Sequence, residues 1–119
     1  MSDIVLSMPT SAGPLPSAAL HILLAIGPDE RHGYAIMTEV AALTNGAVRL
    51  APGTLYTNIK RLVASGLIEE RDERADPDED QRRRYYRLTT AGQQVVASEV
   101  ARLASLVARA QPWIRELKG

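Results

Sequence analysis

The spacing of apolar residues divides the chain into short segments of different period. Residues 15–26, "LPSAALHILLAI", are apolar almost all round, which predicts a short helix at the centre of a core. Pro16 fits its first turn and Gly27–Pro28 its stop. In "HGYAIMTEVAALTNG", Ile36, Val40 and Leu43 recur at i, i+4 and i+7, with Met37 beside them and a polar edge at Thr38 and Glu39. This predicts an amphipathic helix, with Asn45–Gly46 as its stop. "AVRLAPG" has room for a strand of two or three residues before Pro52 opens a third helix at its first position. There Leu55, Ile59, Leu62 and Val63 share one face, and Ser65–Gly66 ends the helix. At about 100° per residue, the opposite face carries Gly53, Thr54, Thr57, Lys60, Arg61 and Ala64.

The period then changes. "LIEERDER" and "RRYYRLT" read as two strands around a polar, Pro-containing loop that is too long for a tight hairpin and is expected to project. Tyr86 and Leu88 alternate to one side, Tyr85 and Arg87 to the other. A long helix follows, with Thr90 and Gln93 at capping-box spacing. Val96, Val100, Leu103, Val107, Ala110, Ile114 and Leu117 succeed one another at spacings of 4, 3, 4, 3, 4, 3, and Leu106 and Trp113 widen the stripe. A helix lying on its own domain would show a 3.6-residue period. The strict 3.5-residue period favours a partner helix from a second copy. Pro112 is expected to kink this helix or restart it after Gln111.

Bulk properties narrow the classes. At 119 residues the chain holds one domain. Its expected organisation is a Ser/Pro/Gly-rich arm over 1–14, a helical domain with two strands over 15–89 and a C-terminal helix over 90–119. With no cysteine there is no disulfide framework, thiolate site or Cys nucleophile, which fits a reducing cytoplasm. No apolar run is long enough to span a membrane, and the start lacks the features of a signal peptide. Formal charge is zero, 14 basic against 14 acidic residues. The mean hides segregation: "DPDED" (residues 76–80) is followed at once by "QRRRYYR", so local fields matter more than the total.

Catalytic and metal chemistry find little support. His21 lies in the apolar first helix and reads as a packed or edge residue, and His32 reads as a loop or capping residue at the second helix. Their spacing matches no metal-ligand pattern. "DPDED" starts like a calcium loop, but Gln81 and Arg87 stand where the required Gly and Glu would be. No phosphate-binding Gly loop or nucleophile elbow occurs. No enzyme activity, cofactor or metal is expected.

The order helix, helix, short strand, helix, strand, loop, strand, long helix is a helix-turn-helix with a β wing: mostly α, with a small β wing. "HGYAI", "PGTLYTNIKRLVASGLIEE" and "RRRYYRLTTAG" together resemble the PadR family of bacterial transcriptional regulators over about residues 15–95. The length resembles the family's short branch, with one C-terminal dimerisation helix. The resemblance implies a winged-helix homodimer that represses its own or a neighbouring efflux or detoxification operon and is released by a small molecule. It also implies that Tyr56, in the block "GTLY", contacts the DNA backbone; a half-buried packing role is the competing reading. Two features depart from the family pattern. Ala51 stands where a Ser or similar cap is usual, at a cost of about 1 kcal/mol. The wing tip is also unusually acidic.

The residues themselves support binding to double-stranded DNA. A helix fits the major groove with its N-terminal residues near base edges. Gly53 and Thr54 permit close approach, Thr57 and Asn58 offer short hydrogen-bonding groups, and Lys60 and Arg61 reach phosphate or guanine. Arg83, Tyr85 and Arg87 would line the DNA side of the wing base; the alternative is a solvated strand face paired with nearby acids. Val96, Val100, Leu103, Leu106, Val107, Ala110, Trp113, Ile114 and Leu117 would form the dimer interface, and the resulting dimer would bind a near-palindromic operator. Trp113 is also a candidate contact for a small aromatic or apolar effector, although a lone Trp at heptad spacing equally suits a seam. The competing function is a winged-helix dimer that binds protein or senses a ligand without DNA.

Overall fold

A computed structural model describes residues 15–73 and 83–118. Its elements are α1 (Ser17–Ile26), β1 (Glu30–His32), α2 (Gly33–Leu43), α3 (Pro52–Ala64), β2 (Ile68–Glu73), β3 (Arg83–Leu88) and α4 (Thr90–Lys118). The expected arm over 1–14 and the wing tip "DPDED" lie outside the described residues.

α1 is the hub. Ala19, Ile22, Leu23, Ala25 and Ile26 are buried, and the helix touches α2, α3, α4 and β3. Around it pack Ile36 and Val40 of α2, Leu55, Ile59 and Leu62 of α3, Leu67 and Ile68 at the start of β2, and Tyr86 of β3. Each fully buried Leu or Ile contributes roughly 1.5–3 kcal/mol. The near-uniform apolarity of α1 follows from having neighbours on most sides. Pro16 is the N-cap residue of α1, one position before the expected first turn.

α2 and α3 end alike. Asn45 (φ 53°) follows α2 and Gly66 (φ 79°) follows α3, both in the left-handed region. In each case the next N–H reaches back to close the helix: Gly46 to the Ala41 carbonyl at 2.7 Å, Leu67 to the Leu62 carbonyl at 3.0 Å. The second closure delivers Leu67 and Ile68 straight from the helix end into the core.

The three strands form one antiparallel sheet in the order β1-β3-β2. Its third strand is not where the spacing predicted one: residues 47–51 are irregular, and Glu30–His32 pairs instead with Arg87–Tyr85. "ERH" has no apolar alternation, so only the approach of β3 turns it into a strand.

α4 begins one residue from its expected cap. Thr89, not Thr90, is the capping residue: its Oγ1 accepts from the Gly92 N–H at 3.0 Å and donates to the Gly66 carbonyl at 2.6 Å. The Thr89 N–H is bound to the Leu67 carbonyl at 3.0 Å, and the helix starts at the next residue. Gly92 lies against that same Leu67 carbonyl, where a Cβ would overlap it. Val95 and Val96 pack on the domain's own core. Val96, expected as the first residue of a dimer seam, is therefore partly used within the chain. Nor does Pro112 break the helix, since α4 is one element through it. The missing N–H removes one backbone bond, and the helix continues for six residues to Lys118.

Candidate nucleic-acid interface

α3 is anchored on one side and open on the other. Leu55, Ile59 and Leu62 are buried, while Gly53, Thr54, Tyr56, Thr57, Lys60 and Arg61 are exposed and Asn58 is half-buried. The structure thus gathers the residues expected on this face along one helix. No side-chain hydrogen bond caps Ala51, although its carbonyl accepts the Leu55 N–H at 2.9 Å. The first N–H groups of α3 thus face outward without a side-chain cap, an arrangement that suits a phosphate. Asn58 turns its amide back to the Thr54 carbonyl at 2.9 Å, leaving its own carbonyl oxygen available. Neither Lys60 nor Arg61 has an ion-pair partner among the described residues.

Tyr56 does two things at once. It is 45% exposed, yet its hydroxyl lies against the first residue of α2, where a Cβ on Gly33 would overlap it. Glycine at position 33 is therefore needed for close approach between α2 and α3. The neighbouring Tyr86 phenol is pushed up from its ordinary 10.0, first by burial, then by Glu70 and by Tyr56, with Arg84 opposing.

The wing base has a different character. On the outward face of the sheet, Glu30, Arg87 and Glu69 form one cross-strand row, and His32, Tyr85 and Arg71 the next. The Arg87 Nε donates to Glu69 at 2.8 Å, and Arg71 is bonded to Glu30. Tyr85 is half-buried between the His32 ring, edge-on with centroids 5.8 Å apart, and the Arg71 guanidinium, 5.4 Å from its centroid. On the other face, Arg84 pairs with Glu70 at 3.2 Å. The Arg83 backbone is in register with Glu73, and its side chain lies outside the described residues. For Arg87, then, the paired strand face is the arrangement found.

His32 is the N-cap of α2, its Nδ1 accepting from the Ala35 N–H at 3.3 Å, and His21 Nδ1 donates to the Ser17 carbonyl at 2.7 Å. Both rings are thus used locally. Among the described residues no group of three or more His, Cys, Asp or Glu could hold a metal ion, and no helix is long and apolar enough to cross a membrane.

Beyond the core-packed Val96, Leu103 and Ala110 are half-buried, and Val100, Leu106, Val107, Trp113, Ile114 and Leu117 are exposed. The helix leaves the body near Glu99, the only buried charged residue among those described, at 6% exposure. Arg102 binds its carboxylate at 2.6 Å. Its pKa is held below the ordinary 4.5, chiefly by the Arg102 hydrogen bond against the opposing effect of burial, with the Leu15 N–H also helping.

Two candidate surface residues escaped sequence reasoning. Tyr34 is 68% exposed beside Gly33 at the start of α2. Arg49 is exposed in the turn before α3. The available signal for Arg49 was the absence of any acid from residue 40 to residue 68.

A helix-turn-helix whose third helix is open to solvent, followed by a β wing and a long helix, defines a winged-helix protein of the DNA-binding class. Residues 22–98 match the transcriptional regulator PadR-like family, and the chain belongs to it. Transcriptional regulator Rv3488 of Mycobacterium tuberculosis is 34% identical over 87 residues, covering 73% of this chain and 76% of that protein. The fold matches Bacillus subtilis PadR, solved in complex with operator DNA, at a TM-score of 0.65 and 21% identity over 73% of this chain. This chain spans 48% of that longer protein. A PadR-like transcription factor from Bacteroides fragilis matches at a TM-score of 0.67 and 18% identity over 92% of this chain and 96% of that one. The family's members are transcriptional regulators, not enzymes, and this chain is one such regulator.

Proposed function

We propose that this regulator is a homodimeric, sequence-specific repressor that binds double-stranded DNA through the open face of α3 and is released by a small aromatic or apolar effector. The observation that carries the reading is the division of α3: Leu55, Ile59 and Leu62 hold it to the core, while Gly53, Thr54, Thr57, Lys60 and Arg61 present an exposed row free of acids. The related fold of Bacillus subtilis PadR, solved on operator DNA, supports the same use. In this reading Tyr56 and Asn58 add contacts from α3, and Arg83, Tyr85 and Arg87 contribute from the wing base.

The dimer is built on α4. Val100, Leu106, Val107, Ile114 and Leu117 leave an apolar stripe of 3.5-residue period in solvent, which a second copy of the helix covers. Trp113, 56% exposed on the same helix, supplies a flat surface for the effector. Two α3 helices then enter successive major grooves at half-sites about 34 Å apart. A cytoplasmic location follows from that role.

Selection of bound duplexes from a random pool, with light scattering on the same sample, tests this reading. A near-palindromic consensus and a dimer mass are expected. No enrichment at low salt ends the DNA-binding reading, and a monomer at micromolar concentration ends the seam. Quenching of Trp113 fluorescence by planar apolar compounds, with release of DNA, is the outcome expected for the effector.

A further inference from the structure

We infer that Arg49 is a third phosphate-binding residue, acting with Lys60 and Arg61, and that Glu69 and Glu30 neutralise Arg87 and Arg71, so that the electrostatic footprint on DNA is centred on α3 and the turn before it. This rests on the DNA-binding reading above and specifies which charges serve it.

The first observation is compositional and local. From residue 40 to residue 68 the charged side chains are Arg49, Lys60 and Arg61, with no acid among them. These residues form the end of α2, the turn and all of α3. A neutral protein therefore carries three positive charges and no acid along this stretch of its helix-turn-helix.

The second observation is the setting of Arg49. Its side chain folds over Gly46, with Nη2 3.0 Å from where a Cβ at that position would stand. Gly46 has φ 81°, so a side chain there would both strain the turn and displace the guanidinium. The negative end of the α2 dipole attracts a cation to this place. The last carbonyls of α2 are nevertheless already taken. The Val40 carbonyl accepts from the Thr44 N–H at 3.3 Å and from its Oγ1 at 2.9 Å. The Ala42 carbonyl accepts from Asn45 and the Ala41 carbonyl from Gly46. The guanidinium thus rests over Gly46 in the turn between α2 and α3, without a carboxylate partner among the described residues. Its fixed fork of donors suits phosphate oxygens. The uncapped first turn of α3 begins three residues further along the chain, at Pro52.

The third observation is the contrast with the sheet. Arg87 and Arg71 are the exposed arginines of the outward face, but each is bonded to a glutamate of another strand, Arg87 to Glu69 on the adjacent β2 and Arg71 to Glu30 on β1, across the intervening β3. Breaking an exposed pair costs only about 0–1 kcal/mol, so Arg87 can turn to a phosphate. Glu69 then remains within a Debye length of the same phosphate, roughly 8 Å at physiological salt. The pair brings no net positive charge and releases few counterions.

The test is the salt dependence of affinity, measured by fluorescence anisotropy from about 50 to 200 mM salt. The probes are a mixed-sequence duplex and a duplex enriched by the wild-type protein. Each lost phosphate contact flattens the slope of log Kobs against log salt by about 0.9. R49A and K60A are each expected to flatten it by that amount. R87A is expected to leave it unchanged, and E69Q to steepen it by up to about 0.9 as Arg87 is released. Thermal melts accompany each variant, and R49Q replaces R49A if the latter unfolds. An unchanged slope in R49A and R49Q, or a loss in R87A equal to that in K60A, overturns the inference alone. A wild type that binds neither duplex overturns it together with the DNA-binding reading.

Discussion

α3 and the sheet both expose basic side chains, but they do so in opposite electrostatic states. α3 presents Lys60 and Arg61 without an acid on the helix, and its other side is locked by Leu55, Ile59 and Leu62. The sheet interleaves its charges, so that Arg71, Arg84 and Arg87 meet Glu30, Glu70 and Glu69 across strands. The difference explains how a chain of zero formal charge supports a DNA-binding role: binding responds to the local field at the contact, and the balancing acids are housed elsewhere. Exposed arginines are therefore not equivalent, and their strand partners decide what each can offer a phosphate.

The largest expected effect breaks the comparison at its apolar side. Leu55→Ala empties a fully buried site and is expected to destabilise the domain by about 2–5 kcal/mol in urea unfolding. A loss under about 1 kcal/mol, the scale of an exposed ion pair, would mean that α3 is not core-anchored.

Glu99 sharpens the comparison as the buried counterpart of the sheet's exposed acids. Its lowered pKa means that its contribution to stability is fully present above the ordinary 4.5 and is lost as pH falls through the lower folded value. Wild type minus E99Q, followed by thermal melts from neutral to acid pH, is expected to show a stability difference that shrinks below that point.

A cap on α3 comes next. Ala51→Ser offers an oxygen to the N–H groups of the first turn and is expected to stabilise the fold by about 1 kcal/mol, read as a rise in melting temperature. The smallest effect is that of the sheet pair itself. A double-mutant cycle on Glu69 and Arg87 is expected to return a coupling of about 0.2–1 kcal/mol. A coupling well above that range would make the pair a structural element of the wing.

Much of this architecture was legible from spacing. The buried face of α3 follows from its spacing and that of α2 from Ile36 and Val40, although Leu43, the third residue of the α2 pattern, is exposed; their ends follow from Asn45–Gly46 and Ser65–Gly66, because those signals are local. β1 was not legible: "ERH" becomes a strand only when β3 supplies hydrogen-bonding partners. The cap moved from Thr90 to Thr89 for a similar reason, the bond from the Thr89 N–H to the Leu67 carbonyl. In the candidate site, the row along α3 could be read from helical periodicity. The state of Arg87 and Tyr85 could not, since it depends on cross-strand register, and Arg49 was overlooked because it lies outside any periodic element.

By itself, then, the sequence determined the order of the four helices and of β2 and β3, the buried and open faces of α3 and the heptad stripe of α4, all of which arise within one segment. Only the tertiary structure decided which charges are cancelled, which valines of α4 belong to the core, and why Gly33 and Gly92 must lack side chains. Those outcomes depend on contacts between distant segments: Tyr56 against Gly33, Leu67 against Gly92, and Glu69 opposite Arg87. Periodicity describes a segment's own faces; what each face meets is set by packing.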